Sequence, residues 1–418
     1  MINTKEKLGN LAKIRYNIAW RMIDMKILSV NCGSSSLKFQ MYEMPEKEVL
    51  ISGRFERIGI GNSFYSINIQ GDKKKVDVEL NTHADAVKLL VDELLANKIV
   101  ESLDEIKGVG HRIVQGADAF DRTVVIDNDV LNKIDELSAL APLHNPAAII
   151  GINAFLEYIP NALPTAVFDT AFHQTMAKEQ YMYALPKEWY TKYGVRKYGA
   201  HGTSHKYISK VMKEFYGEDK RLIVCHVGNG ASITAIKDGK CIDTSMGFTP
   251  NAGLIMGSRC GDIDVSIIPY MMDKININSK DIDCIINKES GLLGISQVGS
   301  DFRDICAGVD SGNENCQLAY NMYINRIVDY IAKYYVELGG ADAICFTAGV
   351  LENTPRARLS VMQKLDCLGV IPDIEANNVP SQFQKVSAND SKIDCFIVPT
   401  DEELMIAEDT YELVLQGL

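Results

Sequence analysis

Along the chain, apolar positions fall into short continuous runs and into stretches with helical spacing. Met25 opens a strand at Lys26-Ile27-Leu28-Ser29-Val30, and the runs 222–225 and 343–346 have the length and flanks of buried strands. Val87, Leu90, Val91, Leu94 and Leu95 recur at the period of one helix face, and so do Leu318, Ile327, Val328, Ile331 and Leu338. Residues 232–236 and 240–244 flank Asp238-Gly239, a dipeptide suited to the positive φ angles of a tight hairpin.

Two segments half a chain apart share one plan of apolar strand, small-residue turn and second strand. The first is Ile27-Leu28-Ser29-Val30-Asn31-Cys32-Gly33-Ser34-Ser35-Ser36-Leu37-Lys38-Phe39. The second is Ile223-Val224-Cys225-His226-Val227-Gly228-Asn229-Gly230-Ala231-Ser232-Ile233-Thr234-Ala235. Hairpins followed by helices, used twice, predict a duplicated α/β fold with mixed sheets. A length of 418 residues with 46% hydrophobic content also points to two cores. No low-complexity linker separates the halves, so the repeat alone places the boundary near residue 170.

A net charge of -12 argues against a general nucleic-acid binder, which needs basic surface. Any anionic ligand must then be held by local arginines and backbone amides. The ten cysteines contain no C-x-x-C pair and read as reduced apolar residues in a reducing compartment. The apolar runs are too short for a membrane span. Residues 1–24 hold five Lys/Arg and no serine, which fits neither a secretory signal nor a transit peptide, and read as an extension outside the fold.

Gly33-Ser34-Ser35-Ser36 and Gly228-Asn229-Gly230-Ala231-Ser232 lack bulk, so their backbone amides and hydroxyls can approach a phosphate closely. Each alone could be an ordinary turn; both at matching places in a repeat favour a nucleotide cleft between domains. The Walker and dinucleotide fingerprints are absent, and His111-Arg112-Ile113 is not the kinase H-R-D. Asp169 follows Ala166-Val167-Phe168 and would stand at a strand end, where a cleft can hold Mg²⁺. Glu402 and Glu403 open the last helix, where a carboxylate also simply suits the helix dipole. Arg112 and Arg259 lie among small residues; a guanidinium fork there can bind a carboxylate or phosphoryl group, or pair structurally with Asp262 or Asp264. His201 and His205 are four apart, but Gly202 disfavours the helix and the Glu of a zinc-protease motif is missing.

Taken in order, the segments Asn31-Cys32-Gly33-Ser34-Ser35-Ser36-Leu37-Lys38, Gly110-His111-Arg112, Ala141-Pro142-Leu143-His144-Asn145-Pro146 and Val167-Phe168-Asp169-Thr170-Ala171-Phe172-His173 resemble the acetate kinase family. Tyr198-Gly199-Ala200-His201-Gly202-Thr203-Ser204-His205, His226-Val227-Gly228-Asn229-Gly230 and Gly257-Ser258-Arg259-Cys260-Gly261-Asp262-Ile263-Asp264 extend the likeness over residues 25 to about 410. That family lies in the superfamily of sugar kinases and actin. The resemblance implies an actin-like, sugar-kinase-like duplicated fold with an interdomain cleft. It implies an acyl-substrate-side domain over 25–170 plus 404–418 and a nucleotide-binding domain over 171–403.

The resemblance also implies roles. Asn31, Asp169 and Glu402 would surround Mg²⁺, or Mn²⁺. Arg112 and Arg259 would hold the acyl carboxylate and the phosphoryl group in flight, His201 would hydrogen-bond that phosphoryl, and His144 would support the substrate. Lys38, His226, Gly228, Asn229 and Gly230 would serve the nucleotide phosphates, and Asp301, Phe302, Arg303, Gly349, Val350 and Asn353 the adenosine side. The implied activity is reversible, Mg-dependent transfer between ATP and acetate or another short-chain fatty acid, by a cytoplasmic homodimer without nucleic-acid or membrane partners. A propionate or butyrate kinase with a roomier acyl pocket, or a catalytically weakened nucleotide sensor, are the alternatives.

Gln115, Ala252, Val265, Leu351 and Asp401 depart from the family pattern, as the places of a His, a Glu, a Pro, a Gly and an Asn. Leu351 stands where glycine would tolerate positive φ and close ligand approach. It predicts a diverted loop or a side chain over the adenosine pocket, with poor discrimination between ATP and GTP.

Overall fold

The computed structural model describes residues 24–142, 144–379 and 381–417. The extension expected over residues 1–24 lies, apart from Asp24, outside the described residues. Among the described residues the strands run in chain order as β1 (Met25–Cys32), β2 (Ser36–Met44), β3 (Glu48–Glu56), β4 (Phe64–Ile69), β5 (Asp72–Asp77), β6 (Ile106–Ile113), β7 (Val124–Val125), β8 (Leu163–Phe168), β9 (Leu222–Val227), β10 (Ala231–Lys237), β11 (Lys240–Thr244), β12 (Ala343–Thr347), β13 (Gln384–Lys385) and β14 (Asp394–Ile397). The helices that bear on the site are α1 (His83–Ala96), α2 (Asn145–Tyr158), α3 (Gly202–Tyr216), α4 (Phe302–Asp310), α5 (Glu314–Leu338), α6 (Ala348–Asn353) and α7 (Glu402–Gly417).

The chain forms two compact units, one reaching Ala171 and resuming at Glu402, the other spanning Phe172–Asp401. The first holds an eight-stranded sheet of order β5-β4-β3-β2-β1-β6-β8-β7, the second a six-stranded sheet of order β11-β10-β9-β12-β14-β13. In each, three antiparallel strands lead into two parallel ones: β3-β2-β1 then β6-β8, and β11-β10-β9 then β12-β14. The repeat read from the two loops is thus a repeat of whole sheets. The central strands β9 and β12 are buried at every position, as parallel strands covered on both faces must be.

Local chemistry accounts for the ends of these elements. Thr82 caps α1 in a capping box with Asp85, its hydroxyl accepting from Asp85 N at 3.2 Å while the Asp85 carboxylate accepts from Thr82 N at 2.9 Å. Asp238 and Gly239 turn β10 into β11 with φ of 52° and 69°. Val87, Leu90, Val91 and Leu94 face the core of the first unit. On α5, Ile327, Ile331 and Leu338 are buried, but Leu318 is 52% exposed. The expectation that Leu318 shares the face of Ile327 is corrected: it lies about two and a half turns before Ile327, opposite the buried stripe that runs through Cys316, Ala319, Tyr323, Ile327, Ile331 and Leu338.

Two glycines explain why the C-terminal helix returns to the first unit. A Cβ on Gly108 would lie 2.6 Å from Thr410 Cγ2, and one on Gly110 2.6 Å from Ile406 Cγ2. Only glycine lets α7 press this closely on β6. The contact is sealed by a hydrogen bond between the Thr165 and Thr410 hydroxyls at 2.7 Å.

Candidate functional site

In the first unit, β1, β6 and β8 are parallel, with Val30 beside His111 and Ile113 beside Phe168. Asn31, Arg112 and Asp169 therefore all stand at the carboxyl ends of these strands, the usual place for a ligand site in an open α/β sheet. Arg112 meets Asp169 as a fork, Nε at 3.1 Å and Nη2 at 2.7 Å from Oδ2, and its Nη1 lies 3.6 Å from Glu402 at the start of α7. Burial alone would depress the Arg112 pKa; the Asp169 and Glu402 charges outweigh it and raise the pKa, so the guanidinium stays charged.

The neighbouring His111 is buried, packs edge-on against Phe155, and is held neutral by burial with its pKa lowered to about 3. His144 stands exposed at the start of α2, and Lys38 is exposed on β2 in this unit. Gln115, buried, bonds the Ala117 amide through its own side chain at 2.8 Å, while its main chain is held by Asn145.

In the second unit a cavity of about 570 Å³ is lined by Gly228, Asn229, Asp301, Phe302, Arg303, Gly349, Val350 and Asn353, joined by Gly257, Leu292, Ser300 and Thr354. The first eight are residues singled out from the sequence; the last four are not. Of these four, Gly257 sits inside the quoted Gly257-Ser258-Arg259 segment and was legible in principle. A Cβ there would come within 2.8 Å of the Ser300 carbonyl and 2.9 Å of Asn229 Cγ, so glycine keeps this wall open. Asp301 caps α4 and forks with Arg303, whose side chain and amide hold the carboxyl at about 2.

Leu351 does not line the cavity. It is fully buried in α6 and belongs to the core of the second unit, while the positive φ of this loop falls on Ala348 at 65°. The expectation of a diverted loop, or of a leucine lying over the adenosine side, is corrected. Helical backbone at position 351 carries no steric penalty for a side chain, so the argument for poor nucleotide discrimination falls with it.

His201, Arg259 and Gly230 converge. A Cβ on Gly230 would lie 3.6 Å from both Arg259 Nη1 and His201 Nε2. Arg259 donates to the Pro250 carbonyl at 2.9 Å, and among the described residues no carboxylate lies within ion-pair distance of it. Asp262 instead accepts from Tyr330 and from the Gly253 amide. The structural pairing considered for Arg259 is therefore not made, and burial lowers its pKa. A partly buried guanidinium beside a bare glycine turn has the charge and the open approach that an anion site needs.

His201 has φ of 58° at the N-cap of α3, a left-handed backbone that a non-glycine residue keeps only when its surroundings demand it. Its ring stacks on His226 at 4.2 Å, and its Nδ1 lies 2.9 Å from Ser232 Oγ. His226 is tied through Ser204 to Thr400, each link 2.8 Å. Glu352 then accepts from the amides of Ala348 and Thr400 and the hydroxyls of Thr347 and Ser381. Ser204 and Ser232 lie inside segments quoted from the sequence, but their ties to the histidines were not read there, and Glu352 and Thr400 were assigned no role.

Two sheets built on the same order, each with a glycine-bearing turn after its first strand, define a duplicated actin-like fold, and the donors Arg259 and His201 beside a cavity fit a kinase built on it. The sequence profile of the acetokinase family matches residues 26–408, and the chain belongs to that family. An acetate kinase of Bacillus cytotoxicus is 48% identical over 391 residues, covering 93% of this chain and 98% of its own length. The crystal structure of Porphyromonas gingivalis acetate kinase superposes with a TM-score of 0.89 at 41% identity, covering 93% of this chain and 99% of that one. A propionate kinase from Francisella tularensis gives 0.88 at 39% identity with the same coverage.

Proposed function

We propose that the chain transfers the terminal phosphoryl group of ATP to the carboxylate of acetate, reversibly and with Mg²⁺, giving acetyl phosphate and ADP. The observation that carries this reading is Arg259, a charged donor with no carboxylate partner among the described residues, set with His201 Nε2 around Gly230 next to the cavity. A carboxylate acceptor is already ionised at neutral pH, so the reaction needs no general base. What it needs is neutralisation of the charge that builds on a loose, in-line phosphoryl, and Arg259 and His201 are donors of the right kind.

In this reading Arg112 binds the acyl carboxylate with His144 in support. Asn229 and Gly230 hold nucleotide phosphates, aided by His226 and Lys38, and the cavity residues take the adenosine. Asn31, Asp169 and Glu402 offer hard oxygen donors with no thiolate or imidazole among them, which fits Mg²⁺ or Mn²⁺. Among the described residues no group of three or more His, Cys, Asp and Glu is arranged to cage a metal. When bound, the ion neutralises phosphate charge.

All ten cysteines are free thiols, which supports a cytoplasmic location, and no helix among the described residues is long and apolar enough to cross a membrane. Val265, Tyr270 and Ile275 are 79%, 59% and 53% exposed, apolar surface in one short stretch of chain that is compatible with the homodimer the family resemblance implies. The Francisella neighbour favours propionate as a second acceptor. A coupled assay of acyl phosphate formation from acetate, propionate and butyrate with ATP tests the reading. Acetate should give the highest kcat/KM, and absence of any acyl phosphate would refute it.

A further inference from the structure

His201 and His205 meet the same hydroxyl. Ser232 Oγ, fully buried on β10, lies 2.9 Å from His201 Nδ1 and 2.8 Å from His205 Nε2. A serine hydroxyl carries one hydrogen and can accept twice, but among the described residues the two rings are the only partners of this Oγ, so its hydrogen goes to one ring and it accepts from the other. Which way it points decides which nitrogen of His201 carries the proton.

His205 settles the direction. It is fully buried, and burial, with His173 and His226 nearby, pushes its pKa far below the ordinary value, so the ring is neutral and has a single N–H. Its Nδ1 is buried without a hydrogen-bond partner. An orphaned buried N–H is rarer than an orphaned acceptor, so the bare nitrogen is Nδ1 and the proton is on Nε2. His205 then donates to Ser232 Oγ, and the serine hydrogen goes to His201 Nδ1. His201 in turn keeps its own proton on Nε2, the nitrogen that lies with Arg259 beside Gly230.

We propose that Ser232 and His205 are positioning residues: the chain His205–Ser232–His201 locks His201 as the Nε2–H tautomer, so its donor faces the phosphoryl site and its lone pair faces inward. In the reverse arrangement a neutral His201 would aim a lone pair at phosphoryl oxygens and could stabilise nothing there. The stack of His226 on His201, with His226 held by Ser204, adds a second restraint on the ring plane. The same chain explains why two histidines four apart need no metal to bring them together. The inference rests on the reading of His201 as a phosphoryl donor.

The test is ¹⁵N NMR of the intact chain labelled in its seven histidines, with His201 assigned through His201→Gln. Without substrates at neutral pH, His201 Nδ1 should show the shift of an unprotonated nitrogen and Nε2 that of a protonated one. Ser232→Ala should give a tautomer mixture and lower kcat by roughly 10-fold or more, part of the effect of losing a transition-state donor, with the KM for acetate and ATP held within about twofold. His205→Gln, whose amide N–H can take the place of Nε2–H, should keep most of the turnover, whereas His205→Phe should lose as much as Ser232→Ala. The histidine pair decides the matter if Ser232→Ala does not fold. Finding His201 as Nδ1–H in a wild type that makes acyl phosphate would overturn the proposal, as would a Ser232→Ala enzyme of full kcat. A wild type that makes no acyl phosphate would refute the functional reading instead and leave the tautomer measurement standing.

Discussion

Replacing Arg259 should separate catalysis from stability. Its one described hydrogen bond to a main-chain oxygen is to the Pro250 carbonyl; losing a bond from a charged donor costs about 1.5–3 kcal/mol, which relief of the half-buried charge cuts to a net of about 1 kcal/mol. In a unit of this size that moves Tm by about 2–4 °C. Turnover should suffer far more. A preorganised charged donor aimed at a developing oxyanion contributes about 10²–10³ in rate, or roughly 3–4 kcal/mol, so Arg259→Ala should lose that much kcat while melting almost normally. Arg259→Lys restores a charge but not the fork, and should recover only part of the loss. The place also has a pH signature. Burial lowers the pKa of the guanidinium there, and would lower that of an ammonium in the same surroundings. The lysine is active when charged, below its pKa, so Arg259→Lys should lose kcat as pH rises through the alkaline range while the wild type holds. Steady-state acyl phosphate formation between pH 6 and 10, with Tm for each variant, reads all of this. Near-normal kcat in Arg259→Lys, or a pH profile parallel to the wild type, would refute the bidentate role.

Arg112→Ala should differ in kind, because it removes the fork from Asp169, which is 1% exposed; stripping one partner from a buried pair costs about 3 kcal/mol, so calorimetry should show a lower Tm alongside the lost turnover. Leu351→Ala should lower stability by about 2–5 kcal/mol, as for a buried leucine elsewhere, and leave the ratio of ATP to GTP affinity unchanged on nucleotide titration. Glu352→Ala should raise the KM for ATP several-fold, since the carboxylate ties the first turn of α6 to Thr400, and Glu352→Gln should restore most of it; equal KM values in all three would show that the tie is immaterial.

What could be read from residues alone was everything carried by local pattern. Strand β1, the Asp238-Gly239 hairpin and the duplicated turns followed from hydrophobic runs and turn chemistry, because these depend on neighbours a few residues apart. The cavity wall at Asp301, Phe302, Arg303, Gly349, Val350 and Asn353 came from family resemblance rather than from pattern. Tertiary structure decided the rest. It put Leu351 in the core, reversing what comparison had implied, because burial depends on which elements lie alongside; Leu318 lies in solvent because its distance from Ile327 is not a whole number of turns. It left Arg259 without the carboxylate that lies three residues away in sequence, since Asp262 turns to Tyr330 on α5. It also joined His201 and His205 on α3 to Ser232 on β10. A serine in a buried strand looks like any other in sequence, and only the packing of that helix against that strand gives its single hydrogen a direction.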